Sequence, residues 1–215
     1  MKIKAISGGV LPTNCYLLTD EETGMTAVID PGFDSPELTE AIRSVGPGKV
    51  SAVLLTHGHF DHVLGVHTVK SLTNAPIYLH TEDSLFPDDP SLNMVDTFFS
   101  LQMPPFSVDV LLNDGDTVEI GNLKVKVLHT PGHTIGGCCF CVEDAIFTGD
   151  TLMKCSAGRT DLPTGSYPQM VSSLKKLKNL MGDYHLYPGH GEQSTLNYER
   201  KNNPFLRDSI DDFDY

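Results

Sequence analysis

Short runs of alternating or continuous hydrophobic residues in the first half of the chain predict β-strands. The runs are rich in β-branched and other apolar residues, and Gly, Pro or Asp bounds each of them. One run, SAVLLT, is apolar almost throughout, which is typical of a strand buried on both faces. The strands predicted here are Lys2–Ser7, Cys15–Thr19, Met25–Asp30, Ser51–Thr56 and Pro76–His80.

The second half repeats this style, with short apolar runs separated by turn residues. Because strands and helices are interspersed along the chain, the pattern predicts an α/β layered sandwich. The strands predicted in this half are Thr117–Ile120, Leu123–His129, Gly137–Val142, Ala145–Thr148 and His185–Tyr187.

Helical periodicity and end signals predict four helices. One begins after Ser35 and ends at Gly46, and a second runs from about His62 to Leu72. A third follows Ser166, with Gln169 placed for a capping box, and a short fourth follows Ser194. The third helix has an apolar face formed by Met170, Val171, Leu174, Leu177, Leu180 and Met181. The proline-containing stretch Thr81–Pro105 has weak helical signals and is interpreted as a covering loop.

Composition narrows the classes of function. The chain has 215 residues, of which 40% are hydrophobic, and this is enough for a substantial core. Its net charge of -13 argues against nucleic-acid or anionic-membrane partners, which need clustered Lys and Arg. The odd number of cysteines, the absence of a secretory leader at Met1–Gly9 and the lack of an apolar run of ~20 residues predict a soluble, cytoplasmic protein with reduced thiols.

The string Thr56-His57-Gly58-His59-Phe60-Asp61-His62 is the strongest chemical signal. Three imidazoles and a carboxylate this close together would be costly to bury without partners. A divalent metal accounts for them, because imidazole and carboxylate suit zinc, manganese or iron. The alternation lets His57 and His59 approach one ion while Asp61 and His62 turn toward a second.

Three further ligand candidates each follow a predicted strand and a glycine turn. They are His133 after Pro131-Gly132, Asp150 after Thr148-Gly149 and His190 after Pro188-Gly189. Since strand-end loops on one edge of a sheet are where α/β proteins gather their sites, these residues are expected to join the first string.

In this order the motifs resemble those of the metallo-β-lactamase superfamily, and the resemblance spans about residues 14–192. It implies a single domain over residues 1–215 with a four-layer αββα sandwich and two metal ions at its edge, zinc being expected. The implied ligands of one ion are His57, His59 and His133, those of the other are Asp61, His62 and His190, and Asp150 bridges them. Asp30, in an Asp-Pro-Gly turn, would orient a ligand or simply form the turn.

Two adjacent divalent ions imply hydrolytic chemistry. A water bridging them becomes a hydroxide near neutral pH and attacks an electrophilic carbonyl, while a metal stabilises the oxyanion. Asp61 is the catalytic candidate, because it could orient this hydroxide or accept its proton in addition to ligating.

The residues after Asp150 resemble the glyoxalase II branch of the superfamily, in the strings Gly149-Asp150-Thr151-Leu152 and Gly158-Arg159-Thr160-Asp161. This resemblance implies hydrolysis of thioesters such as S-2-hydroxyacyl-glutathione, with Arg159 binding a substrate carboxylate. A loop ion pair between Arg159 and Asp161 is an equally good interpretation of that arginine. Glyoxalase II has tyrosines where Asp161 and Glu192 stand here, and it carries an additional helical domain.

Two rival functions remain. Persulfide dioxygenases share the Gly-Arg-Thr-Asp string and hold a single iron with the equivalents of His57, His133 and Asp150. A non-catalytic metal-binding protein is the other, although seven ligands in family order argue against it. True β-lactamases fit less well, since they lack aspartate at the bridging position. The oligomeric state, the acyl group and the thiol carrier are left open by the sequence.

Overall fold

The computed structural model describes residues 1–98 and 103–207, and these form two sheets with helices on both outer faces. The first sheet is mixed: its first two neighbouring pairs are antiparallel and its last three are parallel. Its strands, in spatial order, are β1 (Lys2–Gly8), β2 (Thr13–Thr19), β3 (Thr26–Ile29), β4 (Val50–Leu54), β5 (Ile77–His80) and β6 (Val110–Leu112).

The second sheet has six strands, and all of its neighbouring pairs are antiparallel except one, which joins the strands at Ala145–Gly149 and His185–Pro188. The strands of this half are β7 (Thr117–Ile120), β8 (Leu123–His129), β9 (Cys138–Val142), β10 (Ala145–Gly149), β11 (Leu152–Met153), β12 (Ser156–Ala157), β13 (His185–Pro188) and β14 (Ser194–Thr195). The spatial order is β14-β13-β10-β9-β8-β7, and β11 and β12 form a separate two-stranded ribbon.

Helices cover both sheets. The α-helices are α1 (Pro36–Val45), α2 (Phe60–Val63), α3 (Val66–Thr73), α4 (Pro90–Asn93), α5 (Val95–Phe98), α6 (Tyr167–Lys178) and α7 (Leu196–Asn202). Short 3₁₀ turns occur at Pro47–Lys49, Thr81–Asp83, Phe86–Asp88 and Pro204–Leu206. Among the described helices none is both long and apolar enough to cross a membrane.

Three apolar clusters hold the layers together. The central cluster lies between the sheets and includes Tyr16, Phe140 and Phe147, all almost fully buried. A second packs α1 and α3 on the outer face of the first sheet, and a third packs α6 on the outer face of the second. Each fully buried Leu or Phe contributes about 1.5–3 kcal/mol relative to an exposed one. The predicted four-layer αββα arrangement is confirmed.

Several predicted elements differ in detail from the observed ones. The helix predicted from His62 to Leu72 is two helices, α2 and α3, because Gly65 packs against the distant turn after β3 and donates its N–H to Pro31 O at 2.7 Å. Ser166 forms no side-chain cap, so the predicted capping box is wrong. Met181, predicted on the apolar face of the third helix, is 91% exposed; α6 ends at Lys178, and Leu180 is the last residue of the predicted face that packs on the third cluster.

The stretch Thr81–Pro105 was predicted as an irregular covering loop. It contains two 3₁₀ turns and the short helices α4 and α5, while residues 99–102 lie outside the described residues. Asp83, Phe86 and Met94 from this stretch are buried, so much of it is part of the packed structure. Strand β6 was missed because it is only three residues long.

Candidate metal centre

The predicted ligands converge at one edge of the sandwich, where strands of both sheets end. The first four follow β4: His59 is the N-cap residue of α2, and Asp61 and His62 lie in its single turn. The other three follow β8, β10 and β13, whose carboxyl ends share this edge because β8 and β10 both run antiparallel to β9, and β10 runs parallel to β13. Five of the seven residues are buried; the Asp150 side chain is about one-tenth exposed and that of His190 about one-quarter exposed.

The seven residues fall into overlapping groups whose ligand atoms lie within 4.8 Å of one another. One group is His57, His59 and His133, and another is Asp61, His62 and His190, which are the two sets inferred from the family resemblance. Asp150 lies between them. Its Oδ2 is 3.5 Å from His133 Nε2 and 3.5 Å from His190 Nε2, and its Oδ1 is 3.4 Å from His62 Nε2.

The buried polar atoms of the cluster show that a cation fits it. His57 Nε2 and His59 Nε2 are shielded from solvent and have no hydrogen-bond partner in the described part of the chain. Asp150 Oδ1 makes no hydrogen bond of good geometry either, although His62 is near. Unsatisfied buried atoms of this kind cost free energy, and neutral imidazole nitrogen and carboxylate oxygen are ordinary ligands of divalent ions.

The far ring nitrogens of four histidines are anchored, which aims their other nitrogens into the cluster. His133 Nδ1 donates to Arg159 O at 2.7 Å, and His190 Nδ1 donates to Pro12 O at 2.8 Å. His62 Nδ1 lies 3.0 Å from Asp30 Oδ2, and His57 Nδ1 lies 3.1 Å from the Thr56 hydroxyl. Such contacts fix the orientation of metal-binding histidines.

Asp30 therefore orients a predicted ligand as well as forming its turn. Its backbone is left-handed, with φ of 48°, and its carboxylate accepts from Thr56 N at 2.8 Å and from the Thr56 hydroxyl at 2.6 Å. Together with the contact to His62, these bonds join the Asp-Pro-Gly turn to the histidine-rich segment. Both interpretations made from the sequence describe this residue.

The cluster's electrostatics favour cations. Burial, with help from neighbouring imidazoles, lowers the pKa of His59 to about 3 and that of His57 well below its ordinary value, so both rings are neutral. Burial also opposes charge on His190, but its hydrogen bonds to Asp150 and Asp61 raise its pKa to about 10. Without metal, a protonated His190 thus partly neutralises the two carboxylates.

A cavity of about 370 Å³ opens onto these ligands. His59, Asp61, His133, Asp150 and His190 reach it from the cluster. Its other walls are mostly apolar and comprise Leu11, Pro12, Phe60, Met94, Met153, Gly158 and Leu162. An apolar cavity with a few convergent polar groups is the usual form of a small-molecule site.

Arg159, the predicted substrate-binding residue, also lines this cavity, but its guanidinium is already paired. Its Nε and Nη2 donate to the two carboxylate oxygens of Asp161, each at 2.7 Å. Lys154 forms a second ion pair in this region, with Glu192. The loop ion pair considered from the sequence is therefore present. Arg159 lies at the cavity, and the carboxylate of Asp161 neutralises its positive charge.

Sequence reasoning missed Asp83, a fully buried carboxylate that hydrogen-bonds to the loops carrying the histidines. The signal that could have found it is the one used for the other ligands, since Asp83 closely follows strand β5 at the same sheet edge. By contrast, His67, His80, His129 and His185 lie outside the cluster, as predicted.

Comparison with known proteins gives consistent matches. Residues 8–190 match the family described as the metallo-beta-lactamase superfamily. A Haemophilus influenzae protein named hydroxyacylglutathione hydrolase GloC is 32% identical over 210 residues, covering 96% of this chain and 98% of that protein.

Two solved structures are similar over nearly the whole chain. The crystal structure of BLEG-1 B3 metallo-beta-lactamase is 33% identical with a TM-score of 0.84, covering 95% of this chain and 99% of that one. TTHA1623 in a di-iron-bound form is also 33% identical, with a TM-score of 0.82, covering 94% of this chain and 100% of that one.

Proposed function

The chain belongs to the metallo-beta-lactamase superfamily, and on that premise we propose that it is a dinuclear hydrolase of thioesters, S-2-hydroxyacyl-glutathione among them. The observation that carries the proposal is the convergence of seven ligand side chains beneath an apolar cavity. The similarity to the protein named hydroxyacylglutathione hydrolase GloC supports the choice of substrate class.

In this proposal each metal has its own ligands and one ligand is shared. His57, His59 and His133 would hold the first ion, Asp61, His62 and His190 would hold the second, and Asp150 would be the ligand that they share. Divalent ions bound there lower the pKa of coordinated water and polarise a substrate carbonyl. Zinc is the expected ion, and iron is the alternative suggested by the di-iron-bound relative.

Asp61 is the proposed acceptor of the proton released by the attacking water. Burial raises the pKa of this carboxyl, but His62 and His190 more than offset that effect, so its pKa lies below the ordinary value. Asp61 Oδ2 lies 3.2 Å from His190 Nε2, which holds the carboxylate beside the cavity. A positioned carboxylate of this kind can act as a general base.

Different residues of the cavity wall would contact the acyl group and the thiol carrier of the substrate. Phe60, Met94 and Leu162 exclude water and suit an acyl chain of modest size. Arg159 is the cation able to meet a carrier carboxylate, although Asp161 already occupies its guanidinium. We therefore expect glutathione thioesters to bind weakly, so that recognition rests mainly on the acyl thioester itself.

Metal analysis combined with a substrate panel tests this proposal. Protein purified without added metal should contain two divalent ions per chain and should hydrolyse lactoylglutathione faster than a β-lactam. The Asp61→Asn variant should lose roughly 100-fold or more in kcat, the usual contribution of a general base. Faster turnover of the β-lactam would instead make the chain a β-lactamase, the activity named for the BLEG-1 structure.

The panel includes glutathione persulfide with an oxygen electrode, because a mononuclear-iron persulfide dioxygenase is the rival enzyme. Its ligands would be His57, His133 and Asp150, all of which the structure brings together with the rest. One iron per chain with oxygen consumption would replace the hydrolase assignment. Bound metal without turnover of any panel member would favour a non-catalytic metal-binding role.

A further inference from the structure

Asp83 is a fully buried carboxylate with no part in the chemistry proposed above. It ends the 3₁₀ turn Thr81–Asp83, directly after strand β5. Its Oδ2 accepts from Gly58 N at 3.1 Å and from the Thr134 hydroxyl at 2.8 Å, and its Oδ1 accepts from Gly136 N at 2.7 Å. Both oxygens are thus used, and among the described residues none of these hydrogen bonds is to the side chain of a candidate metal ligand.

The three donors lie in two loops that belong to different sheets. Gly58 stands between His57 and His59, in the segment that follows β4 of the first sheet. Thr134 directly follows His133, in the segment between β8 and β9 of the second. One carboxylate therefore ties together the two loops that carry all three histidines of the first metal group.

Close packing leaves little freedom at this junction. A Cβ on Gly136 would lie 2.5 Å from Asp83 N and 2.6 Å from its Cγ. A Cβ on Gly58 would lie 2.3 Å from the Cβ of Phe86, which follows Asp83 in the chain. Both loops thus lie against the segment after β5 with no space for a side chain, and a change in Asp83 would be transmitted to them.

The histidines of the second metal group are held by contacts that do not involve Asp83. His62 is held by Asp30, and His190 is held by Pro12 O, and Asp83 hydrogen-bonds to neither histidine. Asp61 and His62 also belong to helix α2 rather than to the loop that Asp83 contacts. The two groups can therefore be perturbed one at a time.

Keeping a carboxylate here costs free energy, because the described residues include no Lys or Arg paired with it. Burial raises the pKa of Asp83 to about 6 even though its three hydrogen bonds lower it. A buried charged group retained at such a cost calls for a role beyond filling space.

We propose that Asp83 is a positioning residue that sets the spacing of His57, His59 and His133 and so controls the metal affinity of the three-histidine group alone. The inference rests on the assignment of two metal groups in the proposed function. Asp83 would act on the three-histidine group without being a metal ligand itself.

The test is stepwise zinc titration of metal-free protein, measured by competition with a chromophoric chelator. We expect Asp83→Asn to weaken one binding step by roughly 10–100-fold, the usual effect of altering a group that supports metal ligands, and to leave the other step unchanged. His59→Ala and His190→Ala identify the steps, because each removes a ligand from one group. The step lost in Asp83→Asn should be the step lost in His59→Ala.

Asp20 provides a matched control. It is also buried, and its carboxylate also accepts three hydrogen bonds, from Thr23 Oγ1 at 2.6 Å, Asn122 N at 2.9 Å and Glu22 N at 3.2 Å. It too joins the two sheets, but outside the metal cluster. Asp20→Asn should lower the melting temperature while both zinc affinities stay unchanged.

If Asp83→Asn does not fold, Thr134→Val removes one hydrogen bond to the carboxylate and should weaken the same step by a few-fold. Unchanged affinities in the folded variants, or an equal loss at both steps, would show that Asp83 is merely structural. If the wild-type protein proves to have no thioesterase activity, the proposed function fails but this test still holds, since zinc binding is measured without substrate.

Discussion

At the scale of single residues, the ion pair between Arg159 and Asp161 affects how tightly the cavity binds an anionic substrate. The two side chains make a bidentate contact but are more than half exposed. An exposed pair of this kind contributes only about 0–1 kcal/mol, so a substrate carboxylate can replace Asp161 at modest cost. Asp161 is therefore a competitor of any anionic carrier for the same guanidinium.

Replacing Asp161 by Asn should increase the affinity for anionic thioesters. We expect KM for lactoylglutathione to fall by about 2–5-fold with kcat unchanged. The Arg159 guanidinium, no longer paired with Asp161, should bind the substrate carboxylate equally well in the ground and transition states. The measurement is steady-state kinetics, with a neutral thioester of similar size as the second substrate. KM for that neutral substrate should not change.

Asp144→Asn is the control for net charge. Asp144 is exposed and precedes β10, at the opposite end from Asp150, so its replacement changes the total charge equally without touching the cavity. Identical effects of the two substitutions on KM would contradict a local competition. Arg159→Ala should raise KM for lactoylglutathione and abolish the effect of changing Asp161.

At the scale of elements, the turn after β3 supports the first turn of α2. Gly32 lies so close to this helix that a Cβ would come within 1.7 Å of Asp61 O. The backbone oxygen of Asp61 cannot rotate away as a side chain could, so a larger residue at position 32 would displace the helix. The position of Asp61 and His62 thus depends on the absence of a side chain two residues after Asp30.

Gly32→Ala should displace α2 and impair the second metal group. Forcing a methyl group into close packing costs about 1–3 kcal/mol, and we expect a lower melting temperature together with weaker binding of one zinc. Gly48→Ala is the matched control, since its added Cβ would meet nothing within 4 Å. Normal zinc binding in Gly32→Ala would show that α2 accommodates the methyl group.

The same scale shows what can be predicted from sequence. Strands β7 and β8 have the predicted bounds, because one face of each packs on the core and their alternation is clear. The break between α2 and α3 could not be predicted, since it arises from contact of Gly65 with the distant residues Pro31 and Phe33.

Within the candidate site, two kinds of sequence signal identified the ligand candidates. Dense spacing of His and Asp pointed to His57, His59, Asp61 and His62. Glycine turns after predicted strands pointed to His133, Asp150 and His190, and the structure brings all seven residues together. The pairing of Arg159 is not decided by the sequence, because a substrate carboxylate and Asp161 are equally good partners for an exposed arginine. Asp83 was missed because its role depends on loops separated from it by dozens of residues.

At the scale of the whole molecule, the metal cluster joins the two sheets. Its ligands come from α2 and the segment after β4 on one side and from segments after β8, β10 and β13 on the other. Ions bound there would therefore act as cross-links between sheets that otherwise meet through the central apolar cluster. Ligands that bind the native state alone stabilise it by mass action.

Removing metal should lower the melting temperature by roughly 5–10 °C at pH 7, because about 2.7 kcal/mol is lost for a metal present at 100 times its Kd. The metal-free protein should lose further stability as pH rises from 6.5 to 10. The pKa of His190 is raised to about 10 in the fold, so its contribution is complete below 6.5 and lost above 10.

Calorimetry with and without chelator across this pH range provides the measurement. Metal-loaded protein should lack the alkaline decline, since its histidines are already deprotonated. Equal melting temperatures with and without chelator at every pH would show that the ions do not cross-link the sheets.

Strand β2 contacts the turn at residues 188–190, and this contact can form only after the turn has been synthesised. Asn14 and Tyr16 donate to Pro188 O, and Asn14 N donates to Gly189 O, although these partners are separated by most of the chain. A ribosome releases the histidine-rich segment after β4 long before it synthesises this turn. Four of the candidate metal ligands are therefore outside the ribosome before the remaining three have been translated. Capture of a metal by the complete set is consequently a late event in the life of the newly made polypeptide.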